Sequence, residues 1–188
     1  LNSIERQGTL GGSGNLTLTG TSTVTSGGFE GSGQLVVPAG STLSFPKGGR
    51  LDRVLDNSGT VTLGTSSLSV GPAFAGGTRI FNRAGGNFHV TGDGDFIPAS
   101  ATTSFLNEGT FTKSGAGLTT FSAGFFGGHF SAFDFTNQGT LNLTGGELLL
   151  RGGGSSTTPI DVQAGATLTL ASDFSYAAGT SLSGAGTI

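Results

Sequence analysis

Hydrophobic and polar residues alternate along this chain in short bursts, and each burst follows a polar turn rich in glycine. Thr60-Val-Thr-Leu63 shows the form: every second side chain is apolar, the period of a half-buried strand. The alternation predicts strands over Asn15–Thr19, Gln34–Val37, Thr42–Phe45, Thr60–Leu63 and Ser67–Val70. It continues over Thr78–Phe81, Asn87–Thr91, Thr110–Lys113 and Thr119–Ser122. A last group covers Ala132–Thr136, Thr140–Leu143, Glu147–Leu150, Ile160–Val162 and Thr167–Leu170. No stretch carries a helical stripe, and strong helix formers are scarce.

The turns repeat in three phrases. Asn57-Ser-Gly-Thr60 returns as Asn107-Glu-Gly-Thr110 and Asn137-Gln-Gly-Thr140, with a worn copy at Gln7-Gly-Thr-Leu10. Gly12-Ser-Gly-Asn-Leu16 returns as Gly31-Ser-Gly-Gln-Leu35 and, in variant form, as Gly184-Ala-Gly-Thr-Ile188. Ala39-Gly-Ser-Thr-Leu43 returns as Ala164-Gly-Ala-Thr-Leu168 and as the variant Ala178-Gly-Thr-Ser-Leu182. Each phrase places glycine where a turn calls for positive φ and then enters a strand favoured by Thr and Val.

Recurrence of one turn-and-strand unit is the mark of a solenoid, whereas a sandwich needs no recurrence. Asn-Gly and Gly-Asn hairpin dipeptides are rare, which argues against antiparallel turns. Leu16, Leu35, Val61 and Ile80 advance in steps near nineteen residues, a candidate coil length. Stacked Thr and Asn rows would suit ladders of like residues. The register is uneven, since Asn57 to Asn107 is fifty residues and Asn107 to Asn137 thirty. The expected fold is an all-β, single-stranded parallel β-helix without substantial helix, one domain over 1–188, with insertions at the turns.

Composition narrows the function. Charged residues make up 10% of the chain, net charge is −3, and no basic run exists, so a nucleic-acid surface is not expected. Disorder is excluded by an apolar fraction of 34% that includes 15 Phe. The absence of cysteine removes disulfides, thiol catalysis and thiolate metal sites. No apolar run is long enough to span a membrane as a helix. With no Met at position 1, the chain reads as processed or as a segment of something longer.

Candidate chemistry is sparse. Asp93 and Asp95 in Thr91-Gly-Asp-Gly-Asp-Phe96 are two carboxylates on a glycine-rich turn, a candidate calcium pair or a plain solvated turn. Calcium is the one cofactor in view. Arg50, Asp52, Arg53 and Asp56 form a charged cluster that would have to carry any polysaccharide-cleaving chemistry. The alternative is a solvated loop with local ion pairs. His89 and His129 have no partners at metal spacing, so no catalytic residue is assigned and an enzyme is not expected. The sequons Asn15-Leu-Thr17 and Asn142-Leu-Thr144 are matches that a Thr- and Asn-rich chain produces by chance. Leu16-Thr-Leu-Thr19 and Thr60-Val-Thr62 are fragments of the Thr face an ice-binding solenoid would need, without constant spacing in the sequence.

The segment from Phe121 to Phe135 is dense in aromatics. One reading is an internal Phe stack filling successive coils. The other is an exposed aromatic loop, with Phe125, Phe126, His129 and Phe130 as contacts for a partner or a sugar ring.

Three stretches, Phe105-Leu-Asn-Glu-Gly-Thr-Phe-Thr-Lys-Ser-Gly115, Phe135-Thr-Asn-Gln-Gly-Thr-Leu-Asn-Leu-Thr-Gly-Gly146 and Gln163-Ala-Gly-Ala-Thr-Leu-Thr-Leu170, carry a family style. The chain resembles the β-strand-repeat segments of large bacterial surface and exported proteins, autotransporter-passenger-like adhesins among them. The resemblance implies a right-handed β-helix and an extracellular, cell-surface location. It implies no catalytic residues.

Neither Leu1-Asn-Ser-Ile4 nor Gly186-Thr-Ile188 looks like the polar cap of an isolated solenoid. The expectation is a structural stalk, filament or surface layer that stacks end to end on itself, as tandem copies or as separate subunits, with adhesion to a surface glycan as a variant. A polysaccharide-degrading or carbohydrate-binding β-helix is the alternative, and an ice-binding solenoid a lesser one.

Overall fold

The computed structural model describes residues 2–6, 8–71, 79–99, 102–126 and 128–188. Thr42–Phe45, Gly49–Leu51 and Leu55–Asn57 form one coil of three strands. Thr60–Leu63, Leu68–Val70 and Arg79–Asn82 lie on it in parallel, strand for strand. Every coil repeats this order, so the strands sort into three parallel sheets, here A, B and C, of nine, eight and eight strands, with one further strand appended to C. The described residues contain no helix. The architecture is the parallel β-helix that the alternation predicts.

Register explains the alternation. In sheet A, Val61 lies between Leu43 and Phe88, and Phe111 lies between Phe88 and Leu141. These side chains face inward and are buried, so each apolar position of a strand stacks on its counterpart one coil away. Phe88, Phe96, Phe105, Phe111, Phe121, Phe133 and Phe135 form a continuous aromatic column through the middle coils. Phe96 and Phe121 stack with ring centres 4.2 Å apart, while Phe105 meets Phe88 edge-on at 5.0 Å. Such pairs add to simple area burial.

Asparagine holds the corner between sheets C and A. Asn57, Asn82, Asn107 and Asn137 end successive sheet C strands with fully buried side chains. Nδ2 of each donates to Oδ1 of the next, at 2.7, 2.8 and 2.7 Å. The same amides donate to the carbonyls of Asn87, Thr110 and Thr140, which begin sheet A strands of the coil above. The ladder closes on Ser156 Oγ at 3.1 Å and Thr158 Oγ1 at 2.8 Å.

Several expectations need correction. Leu16, Leu35 and Ile80 do share a sheet C column, but its member between Leu35 and Ile80 is Leu55; Val61 belongs to sheet A. The fifty-residue interval contains two coils of 25 residues, with Asn82 as the intermediate rung. The strand expected over Asn15–Thr19 turns a corner at Leu18, with Leu16–Thr17 in sheet C and Thr19–Val24 in sheet A. Thr78, where the next strand is expected to open, lies outside the described residues, and the strand is described over Arg79–Asn82. Ala123–Phe126 pairs antiparallel with the start of His129–Asn137, a hairpin that the scarcity of Asn-Gly dipeptides did not lead one to expect.

Glycine serves two purposes, of which the sequence suggested one. Gly165 in Ala-Gly-Ala-Thr has φ of 81° and open space around it, a true left-handed turn. Gly139 in Asn-Gln-Gly-Thr does not have positive φ. A Cβ there would stand 2.1 Å from the Gly109 carbonyl oxygen of the coil below. That glycine exists so that two backbones can touch.

Candidate functional site

The hairpin is the one antiparallel excursion among the described strands. It leaves the wall where sheet B passes to sheet C, and Phe125 pairs with Phe130 across it. Both rings project outward, 79% and 61% exposed, and pack edge to face with centres 6.0 Å apart. Phe121, Phe133 and Phe135 at the two ends of the same segment are buried in the aromatic column. The two readings of this segment therefore each hold for part of it. Phe126 and His129 pair through their backbones; their side chains lie outside the described residues. The dipeptide Gly127-Gly128 was the available hairpin signal.

Asp93 and Asp95 serve the coil above. Asp93 Oδ1 accepts the Gly117 N–H at 2.9 Å, and Asp95 Oδ1 accepts the Thr120 N–H at 2.7 Å. Thr120 pairs with Leu149 on its other side, and towards the coil below, where the strand pairing is only Phe96 with Phe121, the Asp95 carboxylate accepts its N–H. Among the described residues no group of three or more His, Cys, Asp or Glu gathers to hold a metal.

The charged cluster divides. Arg50 Nε donates to Asp52 Oδ2 at 2.6 Å. Asp52 is buried and its Oδ1 lacks a hydrogen-bond partner. Burial pushes its carboxyl above the usual range, against the pull of Arg50. Arg53 is buried as well, and Nη2 reaches the Gly12 carbonyl at 2.6 Å. Asp56 faces outward on sheet C and accepts from Arg83 Nε at 2.8 Å. Arg83 also reaches Glu108 at 3.3 Å and lies 4.2 Å over the Phe81 ring. Each aspartate of the cluster thus has its own guanidinium.

One buried charge was not expected, although its strand was. Lys113 occupies an inward position of sheet A, between Val90 and Leu143, and is fully buried. Its ammonium donates to the Gly115 carbonyl. Burial pulls its pKa down from the ordinary 10.5, with the Asp93 charge opposing. The alternation of Thr-Phe-Thr-Lys would have placed it inside had the fourth position been trusted over its charge. His89 faces outward on sheet A with Nε2 2.7 Å from Ser114 Oγ.

No family model, curated protein or solved structure matches this chain.

Proposed function

We propose that this chain is a structural β-solenoid of the bacterial exterior: a stalk, filament or layer segment that lengthens by stacking coil on coil. The observation that supports this reading is the stacking itself: like coils repeat in parallel register through three sheets, a form that lengthens by adding coils. Asn2–Arg6, Thr9–Leu10 and Leu16–Thr17 each have a sheet neighbour on one side only among the described residues. At the opposite end the same is true of Phe174–Tyr176 and Leu182–Ser183, while Ala166–Leu170 meets only Thr187 beyond it. Backbone N–H and C=O groups on such rims seek partners, and a further parallel coil supplies them in register. That coil can come from the same polypeptide or from a second copy of the unit. An open head-to-tail contact of this kind propagates into a fibre.

Adhesion is the variant that the exposed Phe125–Phe130 pair supports, because exposed aromatics on a projecting hairpin are suited to contact. The polysaccharide-cleaving alternative gains no comparable support, since Asp52 and Asp56 are each engaged by an arginine. Sedimentation velocity over a range of concentrations tests the reading: growth into long species is expected. A monomer at every concentration, from a gene without neighbouring copies of the unit, would overturn it.

A further inference from the structure

We propose that the outward face of sheet A is an ice-binding surface. In the sequence its Thr-x-Thr fragments are unevenly spaced, but the structure removes the unevenness by placing the extra residues in the turns. Thr21, Thr42, Thr60, Asn87, Thr110 and Thr140 stand opposite one another on successive strands. Two residues further on, Thr23, Ser44, Thr62, His89, Thr112 and Asn142 form a second row. Neighbouring strands lie about 4.8 Å apart, and alternate residues of one strand about 6.7 Å apart. The result is a two-dimensional grid with repeats close to the oxygen spacings on the prism faces of ordinary ice.

The grid is also stiff. Thr is β-branched and keeps few χ1 rotamers on a strand, so the hydroxyls and methyls are ordered before any water arrives. Thr62 Oγ1 donates to Ser44 Oγ at 2.8 Å, which fixes their orientation along the stacking axis. Directly behind the face lie Leu43, Val61, Phe88, Phe111 and Leu141, all buried. Asn87 and His89 interrupt the hydroxyl pattern in one coil and divide it into two patches.

Strand propensity alone does not explain the distribution. It would spread threonine over all three sheets. Threonine does stand outward elsewhere, at Thr17 and Thr136 on sheet C and at Thr120, Thr167 and Thr169 on sheet B, but those rows are broken by Val36, Asp56, Phe81 and Leu106 and by Arg50, Ser69, Ile97 and Leu149. Glu5 and Asp161 bound the second row at its two ends; between them the two sheet A rows contain no Lys, Arg, Asp or Glu, the residues that ordinarily solvate an exposed sheet. A grid of methyls and hydroxyls without charge suits ordered water: the methyls shape cages and the hydroxyls anchor them to the protein.

The test is a measurement of the gap between melting and freezing points in solutions of the full chain. Three variants accompany it: Thr62→Tyr and Thr112→Tyr, one in each patch, and Thr136→Tyr on sheet C. Circular dichroism melts identify which variants retain the fold, and the patches stand in for each other should one variant not fold. The expected result is faceted ice growth and a freezing gap in the parent, reduced in each sheet A variant and unchanged in Thr136→Tyr. A folded parent with no gap, or equal loss in Thr136→Tyr, would overturn the proposal.

Discussion

Asn82 donates from Nδ2 to Oδ1 of Asn107 at 2.8 Å, in a ladder whose rungs are all sealed from solvent. Each amide is both donor and acceptor, so every rung polarises the next in the same direction. Replacing Asn107 with Leu would leave Asn137 Oδ1 without its donor and Asn82 Nδ2 with one acceptor fewer. Unsatisfied buried groups cost about 1–3 kcal/mol each, so a loss of roughly 2–4 kcal/mol is expected in urea unfolding. Asn107→Asp should be worse at neutral pH, where it buries a carboxylate. It should recover in mild acid, where the protonated oxygen can donate again. Equal stability of the Asp variant at both pH values would contradict the ladder.

Lys113 presents the opposite case, a charge that the fold holds at a disadvantage. Burial lowers its pKa, so the unfolded chain binds a proton there more tightly than the folded one. The destabilisation is full below the folded pKa and fades as pH rises from there to the ordinary 10.5. Stability of the parent should therefore climb as pH rises through that interval towards 10.5. Lys113→Leu should raise stability at neutral pH by at least about 1 kcal/mol and flatten the climb. Chemical denaturation at neutral and alkaline pH reads both effects.

Phenylalanines of one chain should divide sharply by place. Phe105 touches Phe88, Phe96, Phe111, Phe121 and Phe135, so Phe105→Ala should cost about 3–5 kcal/mol. Phe125→Ala on the hairpin should alter stability by no more than about 0.5 kcal/mol. It should instead weaken whatever contact the hairpin makes, read as retention on immobilised surface glycans.

Two glycines offer a paired test of why each is present. Gly165→Asn should be tolerated within about 1 kcal/mol, because Asn adopts the left-handed region and the space is open. Gly139→Asn should cost more than about 2 kcal/mol, because any side chain meets the carbonyl of Gly109. Thermal melts of the two variants, compared with the parent, separate a conformational requirement from a steric one.

Much of the fold was legible because sheet A strands run four residues with clean alternation, as in Thr60–Leu63 and Thr110–Lys113. Sheet B and C strands were harder. Gly28–Phe29 and Gly49–Leu51 place a single apolar side chain inward beside glycine, too short for alternation to show. Asn82 lacked its phrase because the turn after it holds extra residues before Asn87. The hairpin position was half visible: aromatic density marked the segment, but nothing in the spacing told which rings would face inward. The burial of Lys113 was missed because charge outweighed pattern. The alignment of the Thr fragments was invisible for a different reason, since sequence distance counts turn residues that spatial register ignores.

The central claim is that parallel coils continue past the outermost strands into further coils of the same kind. Cryo-electron microscopy of the concentrated chain tests it most directly. The account predicts filaments in which the three sheets run unbroken across each junction, with strands about 4.8 Å apart along the axis. Discrete particles of single-unit length at every concentration, from a gene without neighbouring copies of the unit, would contradict it.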